Sequence, residues 1–216
     1  MGPLKNTGFF IVKYSVYLIY FWPLCHVKIL LFLCIMRILG VKKMEKKTFE
    51  ALQAAIKFEE DGRAFFLAAN GKTEEKFGKS IFLSLADAEL DHIERIKTIY
   101  ESLSKIGEWP DSPSLFSPKR LVKNIFEEAM VEIDQNVKPT TGELEAVKLG
   151  IQYEEKGLKL YADLSDAATH WLEKKFYTQL GNEERGHMLI LKDVESYYAD
   201  PVHWFSAKER SHWDGA

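Results

Sequence analysis

The feature that most constrains the fold is an internal repeat with an offset of 95 residues. The segment from Ala55 to Phe66 reads AIKFEEDGRAFF and matches the segment from Gly150 to Tyr161, which reads GIQYEEKGLKLY. The stretches LADAELDH, which ends at residue 92, and LGNEERGH, which ends at residue 187, match at the same offset. We therefore predict that the chain duplicates a two-helix unit.

Apolar residues in both copies recur every three or four positions, the spacing of a helix with one buried face. One helix of each copy carries a single Glu within this apolar stripe, and the other carries a Glu followed three residues later by a His. These six residues are Glu59, Glu89, His92, Glu154, Glu184 and His187. A buried, ionised carboxylate is costly unless it is paired or binds a metal ion.

Residues three positions apart share one face of a helix, so each Glu-x-x-His pair can close on one metal ion. The spacing also arises by chance, because Glu209 and His212 share it in a polar region without the apolar pattern. Two single-Glu helices and two Glu-x-x-His helices form the ligand set of di-iron and di-manganese carboxylate bundles. Four carboxylates balance two divalent cations. We predict that the six residues bind two metal ions, and iron and manganese suit these ligands alike.

Over residues 46–200 the six-ligand motif resembles the rubrerythrin-like branch of the ferritin-like superfamily. The resemblance implies an all-α, ferritin-like four-helix bundle with a long crossover between helices 2 and 3. It also implies a centre of two iron ions that reacts with hydrogen peroxide or dioxygen. In this arrangement the Glu of each Glu-x-x-His pair would bridge the ions, each His would bind one ion, and the single glutamates would be terminal ligands.

This chain differs from rubrerythrin proper in two features. That protein has an additional Glu three residues after the single Glu of its third helix, where this chain has Gly157. It also has a rubredoxin-like iron site with two Cys-x-x-Cys knuckles, whereas no Cys follows Cys34 here. We therefore expect electrons to come from an external donor such as a rubredoxin-type protein.

The expected activity is that of a di-iron oxidoreductase which reduces hydrogen peroxide or dioxygen in oxidative-stress defence. The alternative is a ferroxidase or iron-binding protein for iron storage or detoxification. A third hypothesis is a scaffold bundle with a vestigial site that stays metal-free. The net charge of −3, without a basic stripe in the bundle, argues against nucleic acid as the main partner.

Tyr161 is the candidate catalytic residue. It lies two turns beyond Glu154 on the same helix face, where it can hydrogen-bond a ligand or donate an electron. The alternative is an ordinary core tyrosine with a hydrogen-bonded hydroxyl. Gly62 and Gly157 each lie three residues after a single Glu, and either leave room for dioxygen or peroxide or allow close helix packing.

The length of 216 residues and the hydrophobic content of 46% suffice for one good core. Predicted bundle helices cover about residues 48–69, 77–106, 143–168 and 171–198, and a shorter helix lies within 119–136. Thr48 is predicted to cap the first helix. Residues 201–216 are predicted to be a tail in which Pro201 breaks the helix and whose histidines are not ligands. The family resemblance leads us to expect a homodimer.

Residues 1–43 lie outside the repeat. Within them, residues 14–36 form an apolar run long enough to span a bilayer, although Pro23, His26 and Lys28 interrupt it. One hypothesis is a membrane anchor whose C-terminal basic residues keep the bundle, residues 44–200, on the cytoplasmic side. The other is that translation starts at Met44 and that the protein is cytoplasmic.

Overall fold

The computed structural model describes residues 46–119, 122–134 and 137–214. The bundle lies within the unit Phe49–Ala216. Among the described residues, no helix is long and apolar enough to cross a membrane. The anchor and start-site hypotheses concern residues 1–43, which lie outside the described range.

Every regular element in the described part of the chain is a helix, which confirms the predicted all-α fold class. Helix α1 covers residues 46–72, α2 Lys76–Ile106, α3 Val122–Ala129, α4 Thr141–Ala167, α5 Trp171–Ala199 and α6 Pro201–Asp214. Helices α1, α2, α4 and α5 are the four bundle helices. The crossover from α2 to α4 contains α3 and two short 3₁₀ turns, Pro113–Phe116 and Met130–Glu132.

Local capping residues set the ends of the helices that carry the predicted ligands. Glu75 accepts hydrogen bonds from the backbone N–H groups of Phe77 and Gly78 and so caps the start of α2. Gly107 ends α2 in the left-handed conformation, with φ of 74°. Thr140 and Glu143 form a capping box at the start of α4. These ends determine which turn of each helix meets the centre of the bundle.

Two sequence predictions about helix ends are wrong. Thr48 lies inside α1 and does not cap it, because the helix already includes residue 46. The tail is helical, because Pro201 ends α5 but also begins α6, where its fixed φ suits the first turn. Asp200 accepts a hydrogen bond from the His203 backbone N–H at 3.0 Å, and the Trp204 indole donates to Asp193 at 3.2 Å.

Two apolar clusters form the core of the bundle, and polar residues separate them along every bundle helix. On α2, Leu85 belongs to the first cluster and Ile96 to the second. On α5, Leu180 belongs to the second cluster and Leu191 to the first. The predicted Glu and His positions lie between these residues, so the helices carry them into a layer between two apolar regions.

Candidate metal centre

The six predicted ligands lie together in this polar layer, on four different helices. Helix α1 supplies Glu59 and α4 supplies Glu154, while α2 and α5 each supply one Glu-x-x-His pair. Each of the six side chains is at most 3% exposed. The periodicity of the sequence therefore identified the buried positions correctly, including those where the residue itself is charged.

The six residues form two overlapping groups of four. One group contains Glu59 and His92, the other contains Glu154 and His187, and both include Glu89 and Glu184. Within each group the potential ligand atoms lie within 4.8 Å of one another, so each group can hold a metal ion. The two shared glutamates are placed to bridge a pair of ions.

Both histidines turn Nδ1 towards the carboxylates. His92 Nδ1 lies 3.1 Å from Glu89 Oε2, 3.1 Å from Glu184 Oε1 and 3.2 Å from Glu59 Oε2. His187 Nδ1 lies 3.7 Å from Glu154 Oε2 and 3.9 Å from Glu89 Oε1. Glu89 therefore directs one oxygen to each histidine, which is the arrangement that a bridging carboxylate needs.

The donor atoms are suited to cations because most of them lack a hydrogen-bond donor. Among the described residues, both oxygens of Glu89, Glu154 and Glu184 and Nδ1 of His187 are buried without a hydrogen-bond partner. The short contacts of His92 Nδ1 to Glu89 and Glu184 lack hydrogen-bond geometry. Buried polar groups in proteins are nearly always hydrogen-bonded, so such a group of unpaired atoms calls for another partner. Metal ions fit this site.

The electrostatics lead to the same conclusion. Burial raises the pKa of Glu89 and of Glu154 well above the ordinary value, and the charge of Glu184 raises both further. Burial alone would also raise the pKa of Glu59, but the charge of His92 and the hydrogen bonds to this carboxylate together outweigh burial and lower the pKa to about 2. Without cations, Glu89 and Glu154 favour the protonated form, so metal binding must release protons.

A family model described as Rubrerythrin matches residues 50–195 of the chain. The chain belongs to the Rubrerythrin family. No curated protein sequence and no solved structure matches it. The family consists of di-iron proteins, typically of oxidative-stress defence. The resemblance inferred from the sequence is thereby confirmed.

Tyr161 contacts a predicted ligand, but not the one on its own helix. Its hydroxyl donates a hydrogen bond to Glu59 Oε1, and the side chain is fully buried. Burial, with the charge of Glu59, raises the Tyr161 pKa well above the ordinary value, so the phenol keeps its proton. Phe66 occupies the equivalent position in the first half and has no hydroxyl. A role of Tyr161 in electron transfer stays a prediction.

The two glycines that follow the single glutamates have different surroundings. A Cβ on Gly62 would come within 2.7 Å of the Tyr153 ring, so this glycine allows close helix packing. A Cβ on Gly157 would come within 2.8 Å of Glu184 Oε2 and 3.0 Å of the Phe58 ring. In this member of the Rubrerythrin family, Gly157 therefore makes space for a carboxylate of the site.

Sequence reasoning missed a buried ion-pair network next to His92. Glu183 Oε2 lies 3.2 Å from His92 Nε2, and Arg95 binds both oxygens of Glu183 at 3.1 and 2.5 Å. Arg95 Nε also lies 2.9 Å from Asp91 Oδ2. The sequence does contain an indication of this network: Glu183 and Arg95 are charged, whereas the corresponding residues of the repeat, Ala88 and Ile190, are apolar.

A pocket of about 250 Å³ between α4 and α5 adjoins this centre. Tyr161, Tyr177 and Asn182 are among its lining residues. Because Tyr161 also binds Glu59, it connects the pocket to the ligand cluster. His203 of α6 is exposed and lies outside the two ligand groups.

Proposed function

We propose that this protein is a di-iron oxidoreductase that reduces hydrogen peroxide or dioxygen with electrons from a separate donor. The observation that carries the proposal is the pair of overlapping ligand groups, which are buried, share two glutamates and lack hydrogen-bond partners. Family membership favours iron over manganese. Peroxide reduction balances as H₂O₂ plus two electrons and two protons giving two waters.

Glu59 and His92 would hold one ion, and Glu154 and His187 would hold the other. The two shared glutamates, Glu89 and Glu184, would contact both ions. Bound ferrous ions would supply two electrons and Lewis acidity. The four negatively charged carboxylates would neutralise the charge of two divalent cations. The buried layer keeps bulk water away, which strengthens electrostatic interactions within it. These properties are what the chain itself contributes to such a reaction.

Tyr161 would hold a proton at the edge of the site. Its hydroxyl donates to Glu59 Oε1, while Glu59 Oε2 faces His92. The tyrosine thereby orients the carboxylate with one oxygen directed to the metal position. We propose that this phenolic proton is available to a reacting oxygen, as general acid catalysis requires a positioned donor.

The electron donor is proposed to be a separate protein of the rubredoxin type. From residue 35 to residue 216 the sequence contains no cysteine, so this part of the chain cannot form a Cys-x-x-Cys iron site. Electrons must reach the buried centre through the bundle surface.

Ferrous oxidation for iron storage or detoxification is the second candidate. One observation favours it: the position of rubrerythrin's additional carboxylate is occupied by Gly157, whose surroundings leave no space for a longer side chain. A chain that retains many ferric ions in a shell-forming assembly would support this alternative. A small oligomer that retains a dinuclear centre supports the oxidoreductase.

The decisive experiment measures metal content and the optical spectrum of the full chain, reduced anaerobically and then mixed with hydrogen peroxide or with dioxygen. We expect a dinuclear iron content and rapid conversion to an oxo-bridged diferric spectrum with peroxide. Fast reaction with dioxygen but slow reaction with peroxide would favour the ferroxidase. Absence of stoichiometric metal would refute both.

Glu89→Ala removes a shared glutamate and is expected to abolish dinuclear binding. Glu155→Ala is the matched control, because Glu155 is an exposed residue of α4 beside Glu154. Circular dichroism of both variants establishes that they are folded. Retention of two ions by Glu89→Ala would contradict the ligand assignment.

A further inference from the structure

The two halves of the bundle repeat the ligands but not the residues behind them. Glu183 contacts Nε2 of His92, and at the corresponding place beside His187 the repeat has Ala88. Ile190 corresponds to Arg95, and Gly186 corresponds to Asp91. The described side chains therefore form an ion-pair network behind His92, whereas the three residues that correspond to this network in the repeat are uncharged.

This network is buried, and several contacts hold it together. Asp91, Arg95 and Glu183 are each at most 7% exposed. Arg95 makes a bidentate contact with Glu183, and Gln179 donates a further hydrogen bond to Glu183 Oε1 at 3.0 Å. A bidentate Arg–carboxylate pair fixes the orientation of both groups. Glu183 is therefore held in place independently of His92.

The contact with Glu183 determines how His92 can bind a metal ion. With a metal ion at Nδ1, the ring proton of His92 would lie on Nε2 and be donated in a hydrogen bond to Glu183 Oε2, 3.2 Å away. A carboxylate behind a metal-binding histidine fixes the ring and increases the basicity of the ligating nitrogen. Among the described residues, no hydrogen bond to a carboxylate holds the His187 ring in this way, and its Nδ1 has no hydrogen-bond partner.

The two terminal glutamates also differ in their hydrogen bonds, and again the Glu59–His92 side has more of them. Glu59 accepts a hydrogen bond from Tyr161 and directs its other oxygen to His92. Both oxygens of Glu154 lack a hydrogen-bond partner, and the counterpart of Tyr161 is Phe66. The hydrogen bonds that orient ligands thus lie on the Glu59–His92 side of the site. Ligands that are already oriented lose less conformational entropy when they bind.

We propose that Glu183, held by Arg95, is a positioning residue for His92 and that it makes the Glu59–His92 position the one that takes up the first metal ion. The second ion then enters at the Glu154–His187 position, whose ligands become ordered only as it binds. This inference rests on the proposed function, because it requires a dinuclear site. It adds that the two positions differ in affinity.

The test is a titration of the metal-free full chain with Mn²⁺, followed by calorimetry and by electron paramagnetic resonance. We expect two separate binding steps, with an isolated Mn²⁺ signal after the first equivalent and a spin-coupled signal after the second. His187→Ala should lose the weaker step, and His92→Ala should lose the tighter one.

Glu183→Gln keeps the shape of the side chain and removes its charge. We expect the first step to weaken by about 10- to 100-fold, the usual effect of losing such a hydrogen-bonded partner, so that the two steps merge. Glu143→Gln is the matched control, because Glu143 is buried on α4 and its carboxylate binds backbone N–H groups remote from the ligands. Its metal affinities should equal those of the wild type.

If Glu183→Gln fails to fold, the double variant Arg95→Leu with Glu183→Leu removes both charges of this ion pair, and Asp91 keeps Lys119 as a cationic partner at 3.5 Å. It should also merge the two steps. The proposal would be overturned if the wild type bound both ions with equal affinity. It would also be overturned if Glu183→Gln kept the two separate binding steps, or if His92→Ala kept the tighter step. A wild-type chain that binds no metal would instead overturn the proposed function.

Discussion

Glu154 and Glu143 offer a direct comparison of two buried carboxylates on one helix. Glu154 is fully buried and Glu143 is 4% exposed. Glu143 accepts hydrogen bonds from the backbone N–H groups of Thr140, Glu74 and Glu75, at 2.7, 2.8 and 3.0 Å. Neither oxygen of Glu154 has a hydrogen-bond partner. Replacement of each by Gln makes the same chemical change in opposite environments.

The expected magnitude follows from the spacing of the ligand atoms. The ligand atoms lie within 4.8 Å of one another, and two ionised carboxylates at that distance repel each other by about 3.5 kcal/mol at an effective dielectric constant of about 20. Partial protonation relieves some of this repulsion, because the pKa of Glu154 is raised by burial and by Glu184. We therefore expect Glu154→Gln to increase the free energy of unfolding of the metal-free protein by about 1 to 3 kcal/mol.

Glu143→Gln should instead lower the free energy of unfolding by about 1 to 3 kcal/mol, because backbone N–H groups lose a charged acceptor. Urea denaturation in EDTA, followed by far-ultraviolet circular dichroism, measures both values. In saturating Mn²⁺ the wild type should have a higher free energy of unfolding than Glu154→Gln. The reason is that metal at about 1,000 times Kd stabilises the wild type by about 4 kcal/mol. Equal destabilisation by both substitutions in EDTA would refute the reasoning.

Three further predictions concern the same site. Tyr161→Phe should lower the free energy of unfolding by about 1 kcal/mol through loss of one hydrogen bond, yet leave the number of bound Mn²⁺ ions unchanged in calorimetry; a lower stoichiometry would show that binding requires the hydroxyl. Gly157→Ala should weaken Mn²⁺ binding, because its Cβ would come within 2.8 Å of a site carboxylate oxygen. Gly71→Ala is the control: no atom lies within 4 Å of its Cβ, so Mn²⁺ binding should stay unchanged. The free energy of unfolding of the metal-free protein should fall as pH rises from about 5 to about 8. The reason is that the folded protein raises the pKa of Glu89 and of Glu154. The stability that these two residues contribute is complete below the ordinary pKa of 4.5 and is lost as pH rises through the raised values. Urea titrations in EDTA across this range would contradict it by showing a rise.

The sequence alone was sufficient to identify the bundle and its candidate ligands. Glu89 and His92 interrupt an apolar stripe at helical spacing, and the repeat presents the same interruption at Glu184 and His187. Burial of a helix face is a periodic, local property, so a sequence records it directly. Four helices with one polar layer each can bury those layers only by bringing them together.

Helix ends were predicted less well, since one residue type can act in two ways. The sequence predicts that Pro201 ends helical structure, yet Pro201 both follows α5 and begins α6. Proline is excluded from a helix interior but is favoured in the first turn. The Trp204 side chain packs into the core and donates to Asp193, and this tertiary contact stabilises the additional helix.

By itself the sequence determined the repeat, the helical faces and the six residues that share them, because each depends on spacing along one helix. Only the tertiary structure decided which residues stand behind the ligands. The hydrogen bond from Tyr161 reaches Glu59 on another helix, and the Arg95–Glu183 pair joins α2 to α5 beside His92. A contact across helices depends on their relative rotation and height, which no spacing within a single helix encodes.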